Sequence, residues 1–491
     1  MNTFMHNLEN TTNYGYTENG AVKHNSTNSA VYDMFAFMGA YRKRRDEDCI
    51  LLFKNAFEED PLLALKCLFY GRDCRGGLGE RRFFRVCLRW LAEYNPKVVR
   101  RNLEHIPFFG RWDDLYILMD TPVEKDVFEL IKNQLILDMQ DCMKNENIGI
   151  SLLGKWLKSE NASSAETKKL AKKTREALGM TARDYRKMLS RLRERIKVLE
   201  KLMSANRWEE IDFSKIPSKA GLIYRNAFAR RDIIAERYTA FARDKKTKVN
   251  AATLYPYEVV KKALELRHSY NLSNTDRLMV NKYWENLPDY LEGKDCKMMC
   301  VVDTSGSMVG TPMNVAISLG MYCAERLSGP FSNLYISFSR RPQLVKVEGI
   351  DFVDKVSRIY RTNLCENTNL NAVFDLLLNV ALDKNTRKED IPETIVVISD
   401  MEIDCGSNWM SKKAETEMEK MRTKWAAYGM TMPRLIYWNV DARHNTILDS
   451  GPNVTFVSGA SPVIFKSVLT GKNGYDLMLE AITADRYNVI K

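Results

Sequence analysis

The chain has 491 residues, 74 Lys plus Arg against 63 Asp plus Glu for a formal net charge of +11, and 45% hydrophobic residues. That length fits two or three domains with sizeable cores, and apart from a polar, Asn-rich first thirty residues the composition excludes a low-complexity chain. No apolar run approaches the ~18 residues of a membrane span, and Met1 to Ala30 lack the basic-then-apolar order of a secretory signal. Ten cysteines, scattered without a Cys-x-x-Cys, suit reduced thiols of a cytoplasmic protein better than a zinc site.

Charge is concentrated. Residues 291–491 carry 23 basic and 24 acidic side chains, whereas residues 1–290 carry 51 and 39. Within that first part, residues 151–250 alone hold 26 basic against 12 acidic residues. Such concentration predicts a local field that attracts polyanions.

Residues 1–30 form a polar N-terminal segment, and 31–293 carry helical periodicity throughout. Helices are predicted at 53–69, at 81–94 with a stop at Asn95-Pro96, from Lys97 to just before Pro107, and at 114–119. Others follow at 124–145, 164–178, 181–203, 225–243 and 256–266. Helix pairs with short turns and no strict repeat predict an all-α helical-repeat array. The Gly71–Glu80 loop lacks the Gly-Lys-Ser/Thr ending of a nucleotide-binding loop, which argues against ATP. Its glycines suit a sharp helix–helix turn with Asp73 paired to an arginine, a better reading than a phosphate role for Arg72 and Arg75. Trp112 suits interhelical packing, with Asp113 and Asp114 at a helix start.

In 181–203 an apolar stripe of Tyr185, Met188, Leu189, Leu192, Ile196, Leu199 and Leu202 faces a core. Beside it run Arg186, Arg193, Lys197 and Lys201, flanked by Arg183, Lys187 and Arg191. A basic face is commonly only solvated surface. With Arg230 and Arg231 nearby, these nine side chains are nonetheless the candidate nucleic-acid contacts, able to track phosphates with counterion release. Tyr224, Phe228, Tyr238 and Phe241 are spaced as a core face rather than as base-stacking platforms.

From residue 294 to 491 strands alternate with helices. Strands are predicted at 297–303, 333–338, 394–399, 433–438 and 453–457, with an edge strand near 344–347. Helices are predicted at 312–327, 369–383, 409–427 and 475–485. The pattern is that of an α/β doubly wound, Rossmann-like sheet. The first strand ends in Asp303-Thr304-Ser305-Gly306-Ser307, one carboxylate and two hydroxyls on a tight loop. These are hard oxygen ligands suited to Mg²⁺, and Thr368 and Asp400 are placed to converge with them at the carboxyl edge of the sheet.

The set Asp303, Ser305, Ser307, Thr368 and Asp400 resembles the metal-ion-dependent adhesion site of a von Willebrand factor A domain. The resemblance implies direct contacts from Ser305, Ser307 and Thr368, and contacts partly through water from Asp303 and Asp400. It also implies a sixth position filled by a carboxylate from a partner protein. The helical part carries Thr17-Glu18-Asn19-Gly20, Gly71-Arg72-Asp73-Cys74-Arg75-Gly76-Gly77-Leu78-Gly79-Glu80-Arg81 and Ile106-Pro107-Phe108-Phe109-Gly110-Arg111-Trp112-Asp113-Asp114-Leu115. With the A domain, these strings resemble proteins that join a TROVE-type helical module to it, the Ro autoantigen-like RNA-binding proteins, and most closely a less characterised branch. That resemblance implies a closed or nearly closed helical ring joined by the A domain, binding structured or defective non-coding RNA.

The five histidines show no spacing of a triad or metal pair, so the expectation is a non-enzymatic, Mg²⁺-dependent RNA-binding protein. Glu402 and Asp404 are extra carboxylates near the metal motif. The competing expectation is a metal-dependent protein–protein adaptor whose basic face is incidental.

Overall fold

The computed structural model describes residues 13–144, 149–267, 274–294, 296–338, 342–362, 369–384, 386–403, 416–449, 451, 453–468 and 472–491. A short antiparallel hairpin is the first described element, β1 (Tyr14–Tyr16) and β2 (Val22–His24). Among the described residues, helices then follow without interruption by strands up to Asn274–Glu285. The α/β part holds a six-stranded sheet: β3 (Met298–Asp303), β4 (Leu334–Phe338), β5 (Gln343–Lys346), β6 (Thr394–Ser399), β7 (Arg434–Asn439) and β8 (Val454–Ser458). Their order is β5-β4-β3-β6-β7-β8, parallel except for the antiparallel edge strand β5. The chain runs outward from β3 to β4 and β5, then returns to β6 on the other side. Asp303 and Asp400 thus end neighbouring strands at the reversal of strand order, where open α/β sheets place ligands.

Local chemistry explains where helices begin and break. The helix expected over 53–69 is two helices, Asp46–Glu59 and Pro61–Arg72, because Asp60 accepts from the Leu63 amide and Pro61 sits in the first turn. The helix expected over 225–243 divides at Arg231 into Ser218–Arg230 and Asp232–Arg243. That expected over 181–203 ends at Arg195 and resumes at Leu199, with Lys197 at φ 52° in between. The first hairpin and the helices Ala30–Phe37, Leu153–Trp156, Asn274–Glu285, Phe352–Thr362 and Ile464–Val468 occupy stretches with no expected element.

Both ends of the helical array close onto the α/β part. At one end, Ala30–Phe37 lies along β8: the Phe456 amide donates to the Tyr32 hydroxyl at 2.8 Å. A Cβ on Gly39 would come within 2.6 Å of the Ser458 carbonyl, so only glycine permits this approach. At the other end, Arg277 makes two 2.8 Å hydrogen bonds to Asp351, and Trp284 stacks on Phe352 with ring centroids 4.2 Å apart. The two ends also meet directly, the Tyr255 hydroxyl donating to the Leu78 carbonyl at 2.8 Å. No helix among the described residues is long and apolar enough to cross a membrane.

Candidate metal site and basic surface

Every residue of β3 is buried, as expected of a parallel strand covered on both faces, and the chain turns at its carboxyl end. Asp303, Ser305 and Asp400 are each at most 2% exposed. Asp303 accepts the Ser305 amide at 2.8 Å on one oxygen and the Ser399 hydroxyl at 2.5 Å on the other. The Ser305 and Ser307 hydroxyls lie 3.0 Å apart. Asp400 accepts the Glu402 amide at 3.2 Å and the Arg443 guanidinium at 2.7 Å. Burial, with the Asp400 charge adding to it, pushes the Asp303 carboxyl up to about 7. Two buried carboxylates that repel each other beside two hydroxyls form a set that a cation stabilises.

The arginine is the strongest local sign that this corner accepts positive charge. Besides Asp400, Arg443 reaches the Ser307 carbonyl at 3.4 Å and the Glu18 carboxylate at 2.5 Å. The donors therefore fit a divalent ion: Asp303, Ser305, Ser307 and Asp400 are gathered, while Thr368 lies outside the described residues. Among the described residues no group of three or more His, Cys, Asp or Glu side chains is arranged to hold a metal. Glu402 is fully buried and accepts the Glu18 amide at 2.8 Å; Asp404 lies outside the described residues. Sequence reasoning had a signal for Arg443, which follows the end of β7 at the same sheet edge. Glu18 stands in the string Thr17-Glu18-Asn19-Gly20, which carried no signal that it would reach this sheet edge.

The basic candidates divide in two. Arg183, Arg186, Lys187 and Arg191 are exposed on the helix Ala182–Arg195 and form no ion pair with the described residues. Lys197 is exposed at the turn and Arg230 near the end of its helix. Arg193, by contrast, is spent inside the protein, donating to the Gly154 and Leu157 carbonyls at 3.0 and 2.9 Å and to the Ser159 hydroxyl at 2.8 Å. Lys201 bonds the Ser190 carbonyl and pairs with Glu194, both at 2.8 Å. Arg231 sits 4.9 Å from the Trp208 ring. The apolar stripe is core as expected, with Tyr185, Met188, Leu189, Leu192, Leu199 and Leu202 buried and Ile196 half-buried. Phe228 and Tyr238 are buried too, with Tyr224 and Phe241 half-buried.

The two arginine–aspartate strings meet in one network. Arg72 pairs with Asp114 at 2.7 Å, Arg85 with Asp114 and Asp113 at 2.6 and 3.0 Å, and Arg111 with Asp113 at 2.7 Å. Arg111 also stacks on Trp156 at 4.0 Å. Asp73 accepts Arg486 and, at 3.1 Å, the Tyr487 hydroxyl from the end of the chain. Arg72 is thus committed to structure; Arg75 remains partly exposed beside the Phe108 carbonyl at 3.4 Å.

Comparison with known proteins adds a family. A model described as "Domain of unknown function (DUF2828)" matches residues 17–177 and 145–295, and one described as "Domain of unknown function (DUF7788)" matches 297–487. The first spans more than half of the chain, which therefore belongs to that family. "Uncharacterized protein L728" of Acanthamoeba polyphaga mimivirus is 29% identical over 505 residues, covering 94% of this chain and 85% of that protein. A crystal structure of the Deinococcus radiodurans RO (RSR) protein aligns with a TM-score of 0.49 at 13% identity, over 91% of this chain and 100% of that one. A likeness of that size assigns neither ligand nor activity.

Proposed function

We propose that this protein binds RNA on the exposed basic face of the helices at 165–204, and holds Mg²⁺ or another divalent cation at Asp303, Ser305, Ser307, Asp400 and Thr368. It is a binding protein, not an enzyme. The observation that carries the RNA reading is the contrast along one helix: Arg193 is consumed by backbone carbonyls, yet Arg183, Arg186, Lys187 and Arg191 stand exposed without a carboxylate partner among the described residues. Lys168 and Lys169 on the preceding helix are exposed as well. Cations without a partner among the described residues keep their field for an external polyanion such as a phosphate backbone.

When bound, the cation supplies an electrophilic centre at the sheet edge for an acidic group of a protein partner. Asp303 and Asp400 provide its charge balance, and the serine hydroxyls hold the loop in a ligating conformation. Sequencing of the RNA that co-purifies with the full chain tests the reading, against a variant carrying Arg183→Glu, Arg186→Glu, Lys187→Glu and Arg191→Glu. Enriched RNA lost in the variant supports it. No RNA above an equally basic control protein makes the adaptor reading the better one.

A further inference from the structure

The guanidinium of Arg443 bridges two carboxylates from distant parts of the chain. It donates to Asp400 at 2.7 Å and to Glu18 at 2.5 Å, with the Ser307 carbonyl at 3.4 Å. Glu18 belongs to the turn between β1 and β2, and this hairpin rests on the loops that follow β6 and β7. The Thr17 hydroxyl donates to the Ile403 carbonyl at 2.9 Å, and the Asn19 amide group to the Glu402 carbonyl at 2.8 Å. Lys23 reaches the Asn445 carbonyl at 2.6 Å. One side chain therefore joins the metal-site carboxylate to the N-terminal hairpin.

We propose that Arg443 is the resident counter-cation of the metal site, which a divalent ion must displace from Asp400, and that Glu18 couples this exchange to the hairpin. The inference rests on the metal reading above. A guanidinium and a divalent ion cannot share one buried carboxylate without mutual repulsion. Whatever tightens Arg443 on Asp400 weakens the ion, and by linkage the ion weakens Arg443 there. Glu18 competes with Asp400 for the same guanidinium and adds negative charge to the corner. The two side chains therefore act on cation affinity with opposite signs. By the same linkage, a guanidinium displaced from Asp400 pairs more tightly with Glu18, and that pair is one of the ties that hold residues 17–24 against the sheet edge.

The test is a calorimetric Mg²⁺ titration of the full chain, of Arg443→Gln and of Glu18→Gln, with amide hydrogen exchange of the hairpin measured with and without Mg²⁺. Arg443 is partly exposed, so its variant should fold, and thermal melting checks that it does. The expected result is at least tenfold tighter Mg²⁺ binding by Arg443→Gln and weaker binding by Glu18→Gln. In the parent protein Mg²⁺ should slow exchange of the hairpin amides, and in Arg443→Gln it should not. Mg²⁺ bound by Arg443→Gln with unchanged or lower affinity overturns the exchange proposal while leaving the metal site intact. Absence of Mg²⁺ binding in all three proteins overturns both.

Discussion

Arg72 and Asp114, forty-two residues apart in sequence, form an ion pair at 2.7 Å with side chains only 4% and 0% exposed. Asp114 is shared with Arg85 at 2.6 Å, so one carboxylate offsets two cations in the helical core. Removing one partner of a buried pair strands the other, which costs on the order of 3–5 kcal/mol. Asp114→Ala should lose stability of that size in urea unfolding, and Arg72→Lys should not restore the Nε hydrogen bond that Asp114 accepts at 2.8 Å.

Acid should attack the same network. Burial opposes the charge on Asp113, but the Arg111 and Arg85 guanidiniums outweigh it and hold the carboxyl below its ordinary value of 3.8. A carboxylate with a depressed folded value contributes stability above its unfolded value, and that contribution disappears as pH falls through the folded one. Between about pH 5 and pH 2, the parent protein should lose stability more steeply than Asp113→Asn, measured as the urea midpoint against pH.

Arg193 separates structural from ligand-facing cations. Its replacement by alanine leaves the Gly154 and Leu157 carbonyls without their donor and should cost about 1–3 kcal/mol of stability. Charge reversal at the exposed Arg186 and Lys187 should leave the melting temperature nearly unchanged while lowering RNA affinity. Melting and RNA binding of both variants side by side check the division.

The metal assignment has a thermal signature. A ligand that binds only the folded state at one hundred times its Kd stabilises by about 2.7 kcal/mol, so Mg²⁺ should raise the melting temperature of the parent protein. Asp303→Ala, which removes a buried donor of the set, should fold and melt at a temperature that Mg²⁺ does not change.

The sheet was legible in the sequence because its central strands are continuous apolar runs: Met298–Asp303 and Thr394–Ser399 lie within a residue of their expected limits. Helix ends with a proline, as at Asn95-Pro96, were legible for the same reason, a strong local constraint. The breaks at Arg231 and Lys197 were not, since neither residue is a helix breaker and tertiary packing sets the turn. The metal motif could be assembled because Asp303, Ser305 and Ser307 are contiguous and Asp400 ends a strand. Arg443 and Glu18 reach it from other segments through contacts that only the fold creates. Charge counting located the basic region but could not tell Arg193, which faces inward, from Arg191 two residues before it.

The most direct measurement is the salt dependence of RNA affinity for the parent chain and for the variant reversed at Arg183, Arg186, Lys187 and Arg191. Each phosphate contact contributes about 0.7 to the slope of log affinity against log salt for a single strand. The account predicts a steep slope in the parent protein, shallower by about 3 in the variant, with weaker binding at every salt concentration. Equal slopes and equal affinities would contradict it.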